Sequence, residues 1–149
     1  MNSFQPARLE PGIAVVQTTP RIDENPRAGL IDDDIDLREA SRSHLARRDM
    51  EPEIFHYPDA MIDAVLSGTV DVLVVDIGLP GTVSGLDIME SVRSNSAIPV
   101  VVISGHTDIG TVTRALRLGA DDYLRKPFHL EEFGLCLEAL LNRHDPDRA

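Results

Sequence analysis

Short apolar runs alternate with segments of helical spacing along most of this chain. The runs fall at Ala28–Ile31, Val70–Val75 and Ile98–Ile103, with weaker ones around Glu53–Tyr57 and at Tyr123–Leu124. Val72-Leu73-Val74-Val75 and Val100-Val101-Val102-Ile103 are continuous and mostly β-branched, as strands covered on both faces are. Between the runs, apolar positions recur at helical spacing. Leu37, Ala40, Ser41, His44 and Leu45 mark a first helix, and Ala60, Met61, Ala64 and Val65 a second that stops at Gly68. Leu86, Met89 and Val92 mark a third; Ile109, Val112, Ala115 and Leu116 a fourth, ending near Gly119; Leu130, Phe133, Leu137 and Leu140 a fifth. Five strands alternating with five helices predict right-handed βαβ crossovers and a doubly wound α/β sheet.

Residues 1–26 break this pattern. Pro6, Pro11, Pro20 and Pro26 punctuate a polar segment whose one apolar run is Ile13-Ala14-Val15-Val16, which reads as a flexible N-terminal extension. The expected folded domain spans residues 27–143, followed by a short tail at 144–149.

Composition narrows the function classes. A length of 149 residues fits one domain, given the usual range of about 100–200. The formal net charge of −11 opposes a nucleic-acid surface, which needs clustered Lys and Arg, and equally opposes an anionic membrane. It suits a divalent cation or a basic protein partner. Cys136, the one cysteine, cannot form an internal disulfide and lies in the apolar pattern of the last helix, which loosely predicts a reducing, cytoplasmic setting. No run is long enough to span a membrane, and the N-terminus lacks a secretory-signal pattern.

In open α/β sheets, ligands sit beyond the carboxyl ends of the strands. The residues arriving there are Asp32, Asp33 and Asp34 after the first strand, Asp76 after the third, Ser104 and Gly105 after the fourth, and Lys126 and Pro127 after the fifth. Taken singly, each aspartate or Ser104 could merely cap the following helix, and Lys126 could be a solvated charge. Together they form one acidic edge with one cation. Lys126 is also the only lysine of the chain. A compact point charge differs from arginine's planar fork, so its placement at this edge suits contact with a single anionic oxygen.

The strings Leu30-Ile31-Asp32-Asp33-Asp34, Val74-Val75-Asp76-Ile77-Gly78-Leu79-Pro80-Gly81, Ser104-Gly105 and Gly119-Ala120-Asp121-Asp122-Tyr123-Leu124-Arg125-Lys126-Pro127-Phe128 resemble the receiver domain of two-component response regulators. The resemblance runs from about Arg27 to Asn142. It implies a five-stranded parallel (βα)5 sheet of the flavodoxin-like type, ordered 2-1-3-4-5. It implies Asp76 as phosphoacceptor, with Asp32, Asp33, Asp76 and the backbone carbonyl of Gly78 around Mg²⁺. It further implies that Lys126 stabilises the transferring group, that Ser104 and Tyr123 act as the switch pair, and that Lys126-Pro127 is a cis peptide. The implied partners are a sensor histidine kinase or histidine phosphotransfer protein and a downstream protein target. Homodimerisation is expected through the face formed by the fourth helix, fifth strand and fifth helix.

Three departures from the family pattern stand out. The loop after Asp76, Gly81-Thr82-Val83-Ser84-Gly85, is one residue longer than the commonest form and has Ser84 where an aspartate often stands. Asp49 occupies a helix-ending position where glycine is frequent. Gly78 and His106 fill the positions two past Asp76 and two past Ser104, which tune acyl-phosphate hydrolysis in relatives. The sequence as given ends soon after the fifth helix, which favours a stand-alone receiver acting through protein contacts. Two other readings stay open: the receiver portion of a DNA-binding transcriptional regulator, suggested by Ser104-Gly105-His106-Thr107-Asp108, and an unphosphorylated pseudo-receiver acting as a docking module. An aspartate-nucleophile hydrolase would need a second catalytic acid just after Asp76, where Ile77 and Gly78 supply none.

Overall fold

A computed structural model describes residues 25–78, 84–105 and 109–144. The strands are β1 (Arg27–Ile31), β2 (Glu51–Phe55), β3 (Val72–Asp76), β4 (Val100–Ser104) and β5 (Asp122–Arg125). The helices are α1 (Ile35–Arg47), α2 (Pro58–Leu66), α3 (Gly85–Asn95), α4 (Ile109–Arg117) and α5 (Leu130–His144). All pairings are parallel and the sheet order is β2-β1-β3-β4-β5, as the resemblance implied.

The continuous apolar runs are explained by a core on each side of the sheet. Leu73, Val75, Val100 and Val102 pack with Met61 and Val65 of α2, Ile88, Met89 and Val92 of α3, and Ala115 of α4. Val72, Val74, Val101 and Ile103 pack on the other side with Leu45 of α1 and Phe133, Leu137 and Leu140 of α5. Successive strand residues point to opposite faces, so both parities must be apolar.

Element boundaries differ from the sequence reading where proline decides. β2 begins two residues before the expected Glu53, and Tyr57 is the N-cap of α2 instead of a strand residue, because Pro58 sits at the start of that helix. Pro99, without an N–H, holds the start of β4 back to Val100. In β2, the Glu51 N–H donates to the Pro26 carbonyl at 2.7 Å, so the odd-numbered residues face β1. Pro52 therefore turns its hydrogen-free nitrogen outward on this edge strand. α5 runs through His144, one residue into the expected tail. Residues 1–24, 79–83, 106–108 and 145–149 lie outside the described set, and with them the proposed extension, most of the loop after Asp76, and His106.

The expected face of α4 is rotated from the observed one. Ala115 is buried, but Ile109 is 79% and Leu116 45% exposed. At 100° per residue, Ile109, Val112 and Leu116 form a stripe centred well to one side of Ala115, and it is Ala115 that meets the sheet. Ile109 and Leu116 of this ridge are left exposed, and Val112 is half-buried.

Two arginines fasten the opposite end of the sheet from the acidic edge. Arg93 of α3 donates to the carbonyls of Gly119 (2.7 and 3.2 Å), Ser96 (3.0 Å) and Ile98 (2.7 Å) and reaches Asp121 at 3.3 Å. Arg48, just past α1, makes a two-pronged contact with Glu138 of α5 at 2.8 and 3.1 Å. Its side chain lies over Gly134, where a Cβ would come within 2.5 Å of the arginine Cδ. The turn after α1 places Asp49 at φ 61°, the left-handed geometry that glycine favours and aspartate tolerates better than most residues.

Candidate functional site

Of the three consecutive aspartates after β1, only Asp34 is a helix cap. It is the N-cap of α1 and its carboxylate accepts the Leu37 N–H at 3.2 Å. Asp32 is buried, with Oδ1 accepting the Asp34 N–H at 2.7 Å. Asp33 is exposed. Asp76 is the last residue of β3 and is also buried, with Oδ1 accepting the Gly78 N–H at 2.8 Å. Asp32, Asp33 and Asp76 each present a carboxylate oxygen within 4.8 Å of the others.

The ammonium of Lys126 enters this cluster from the end of β5. Its Nζ lies 2.9 Å from Asp32 Oδ2 and 3.2 Å from Asp76 Oδ2. The peptide N–H of Lys126 donates to the Ser104 carbonyl at 2.8 Å, which ties the ends of β4 and β5 together, and the Lys126-Pro127 bond is cis. The only lysine of the chain therefore spans the two buried carboxylates, as its position at the strand end suggested.

Three carboxylates face this one ammonium, so the cluster keeps an excess of two negative charges. Burial raises the Asp32 carboxyl above its ordinary value, the nearby Asp76 adds to the rise, and Lys126 and the Asp34 N–H offset only part of it. Burial alone would lower Lys126, but the contacts with Asp32 and Asp76 outweigh it and hold the ammonium above its usual value. Asp32 Oδ2 is buried and has no aligned hydrogen bond, although Lys126 stands close in charge contact. Three carboxylates with an oxygen each within 4.8 Å of the others, two of them buried and met by one ammonium, are a donor set that fits a hard divalent cation.

Ser104 ends β4 and is buried. It is five residues ahead of the first residue of α4, so the capping alternative does not hold. Tyr123 in β5 is half-buried against the cluster containing Val102 and Ala115. The sheet's alternation sorts these residues. Asp76 continues the parity of Val72 and Val74, on the side of α1 and α5, whereas Ser104 continues that of Val100 and Val102. Gly78, two residues past Asp76, is exposed and brings no side chain to the site.

Sequence reasoning treated Ser84 and Gly85 only as loop residues. Ser84 is the N-cap of α3 in a reciprocal capping box: its Oγ accepts the Asp87 N–H at 3.2 Å and Asp87 Oδ2 accepts the Ser84 N–H at 3.0 Å. The Ser84 amide and hydroxyl hold the Asp87 carboxyl below its ordinary value. The spacing of Ser84 and Asp87 ahead of Ile88 and Met89 is the signal that could have located this helix start. Cys136 is half-buried, its Sγ donating to Asp122 Oδ2 at 3.2 Å; burial first, and then Asp122, push its thiol up to about 12.

Comparison with known proteins agrees with this geometry. Residues 29–137 match the family model described as the response regulator receiver domain. The chain is 34% identical over 121 residues to the response regulator MprA of Mycobacterium bovis, an alignment covering 80% of this chain and 52% of that protein. It is 30% identical over 115 residues to the heme response regulator HssR of Staphylococcus epidermidis, covering 77% and 51%. The chain thus spans about half the length of these curated relatives. Among solved structures, NtrX from Brucella abortus, crystallised with ADP, superposes with a TM-score of 0.75 at 28% identity, covering 83% of this chain and 29% of that one.

Proposed function

Because this chain belongs to the family of response regulator receiver domains, signalling modules of two-component systems and not classical enzymes, we propose that it carries its signal as a phosphoryl group on the carboxylate of Asp76. The observation that carries this reading is the single ammonium of Lys126 held between Asp32 and Asp76 in a cluster that stays two charges negative. A buried carboxylate at the end of the central strand is a nucleophile already in place, and its Oδ1 is oriented by the Gly78 N–H. One of its oxygens attacks phosphorus of a phosphohistidine or small phosphodonor. The new O–P bond forms as the P–N or P–O bond of the donor breaks, its electron pair returning to the leaving group. Positioning and charge compensation are most of what a protein contributes to such a transfer.

Asp32, Asp33, Asp76 and the carbonyl of Gly78 would hold Mg²⁺, whose chemistry when bound is to offset charge on the phosphoryl oxygens. Lys126 then supplies the second cation at the phosphoryl group. Ser104 receives a phosphoryl oxygen by hydrogen bond after transfer, and Tyr123 follows it inward. The change is read out on the α4–β5–α5 face, where the exposed Ile109 and Leu116 offer a partner or a second copy an apolar contact. The donor is a sensor histidine kinase or histidine phosphotransfer protein, and the setting cytoplasmic. Among the described residues no helix is long and apolar enough to cross a membrane.

Incubation with Mg²⁺ and acetyl phosphate or a cognate kinase should give a base-sensitive label that disappears in Asp76→Asn. Undiminished labelling of that variant would overturn the assignment. Lys126→Arg should keep metal binding and lose phosphorylation-dependent partner binding. A second reading, the receiver portion of a longer DNA-binding regulator, is favoured by the length of the relatives, of which this chain spans about half. Dimerisation that appears only on phosphorylation, seen by sedimentation, supports it.

A further inference from the structure

Gly85 opens α3 at a point where no side chain fits. A Cβ there would overlap the Asp76 carbonyl oxygen and the Ile77 Cα, and would come within 2.9 Å of the Asp76 carbonyl carbon. All three are backbone atoms, which cannot rotate aside as a side chain can. Gly85 is buried and begins the helix, so what this position demands is space.

The peptide joining Asp76 to Ile77 is held from both sides. Ile77 N–H donates to the Ile103 carbonyl of β4 at 3.0 Å, and the first turn of α3 lies against it at Gly85. That turn is itself fixed by the Ser84–Asp87 capping box. Two groups of the site depend on where this peptide sits: the Asp76 side chain, which springs from it, and the Gly78 N–H, which follows it and donates to Asp76 Oδ1 at 2.8 Å.

We infer that Gly85 is a positioning residue for the phosphoacceptor, its missing side chain letting α3 seat on the Asp76–Ile77 peptide and so set the direction of the Asp76 carboxylate and of Gly78. This rests on Asp76 being the phosphoacceptor. Gly29 supplies the contrast. A Cβ at Gly29 would meet only side-chain atoms, of Phe55 at 2.8 Å, Leu73 at 3.1 Å and Val70 at 3.4 Å, within the hydrophobic core. Gly29→Ala therefore disturbs packing without moving the Asp76 peptide.

The test compares wild type, Gly85→Ala and Gly29→Ala at a temperature where each is fully folded by circular dichroism. The rate of labelling by acetyl phosphate and the Mg²⁺ affinity by calorimetry are measured for each. Wild type must label first; if it does not, the phosphoacceptor reading itself fails. Gly85→Ala should then label at least about tenfold more slowly and bind Mg²⁺ more weakly, since an ångström of misplacement can cost about a hundredfold. Gly29→Ala should stay within about twofold of wild type while losing thermal stability. Wild-type labelling and metal affinity in folded Gly85→Ala, or an equal loss in Gly29→Ala, overturns the inference. Should Gly85→Ala not fold, Ser84→Ala loosens the same seat without a clash. A shifted Gly78 amide resonance with slower labelling then supports the inference, and an unmoved resonance with normal labelling overturns it.

Discussion

At the amino ends of the strands, Asp71 accepts the Arg27 N–H at 2.7 Å and Asp121 accepts that of Val100 at 2.8 Å. At the carboxyl ends, Asp32 and Asp76 lie buried against each other and share one ammonium. At the amino ends a strand N–H satisfies each carboxylate, whereas at the carboxyl ends Asp32 and Asp76 each take one N–H from the following loop, that of Asp34 and of Gly78, and turn the other oxygen to Lys126. Arg93 does the converse at the amino end of β4, collecting the carbonyls of Gly119, Ser96 and Ile98. One end of the sheet is closed by its own hydrogen bonds; the other keeps unspent charge that a ligand can use. Stability and function are thereby separated along a single axis.

The strongest way to break this contrast is Arg93→Ala. It should cost about 2–4 kcal/mol by denaturant unfolding, because several part-buried carbonyls lose their donor at once, while Mg²⁺ affinity stays near that of wild type. Parallel loss of Mg²⁺ binding would show that the two ends are not independent. Next in size is the response to metal. Mg²⁺ at one hundred times its dissociation constant should stabilise wild type by about 2.7 kcal/mol, and the effect should vanish in Asp32→Asn. Metal stabilisation persisting in that variant would contradict the acidic cluster as the binding site.

A smaller effect concerns pH. Asp32 is raised above its ordinary value of 3.8, chiefly by burial. A carboxyl raised on folding contributes stability that is present below its unfolded value and is lost as pH rises through the folded one. Without metal, wild type should therefore lose ground to Asp32→Asn as pH climbs from about 4 towards neutrality. Chemical denaturation across that window would measure it, and a difference that stays flat would refute the assignment. The smallest effect is at Cys136, which touches the amino end through Asp122 and lies away from the acidic cluster. Its thiol, pushed up to about 12, should alkylate far more slowly at pH 8 in the native than in the unfolded protein. Cys136→Ala should leave both labelling and the metal response intact.

Much of this contrast was legible in the chain. The aspartates and the one lysine could be placed at a common edge because a strand's end fixes where the next residue emerges. The β-branched runs announced a sheet covered on both faces. What escaped was set by contacts distant in sequence. Nothing around Arg93 reveals that its carbonyl partners include Gly119, whose position depends on how α4 returns to β5. Gly85 looked like any loop glycine because the peptide that it accommodates lies on another element. On α4, spacing located the apolar stripe but not which flank of it meets the sheet, so Ile109 and Leu116 were expected inside. The proposed extension and the loop after Asp76 fall largely outside the described residues.

The outward-turned Pro52 has a consequence for assembly. Of the β2 residues facing away from β1, Pro52 has no hydrogen to offer, and Ile54 is left as the single outward donor of that strand. A fibre built by strand addition needs two receptive edges on every subunit, one to join the growing end and one to become it. Among the described residues β2 offers an incoming strand half the donors its outward positions would otherwise supply, which weakens strand addition at that edge.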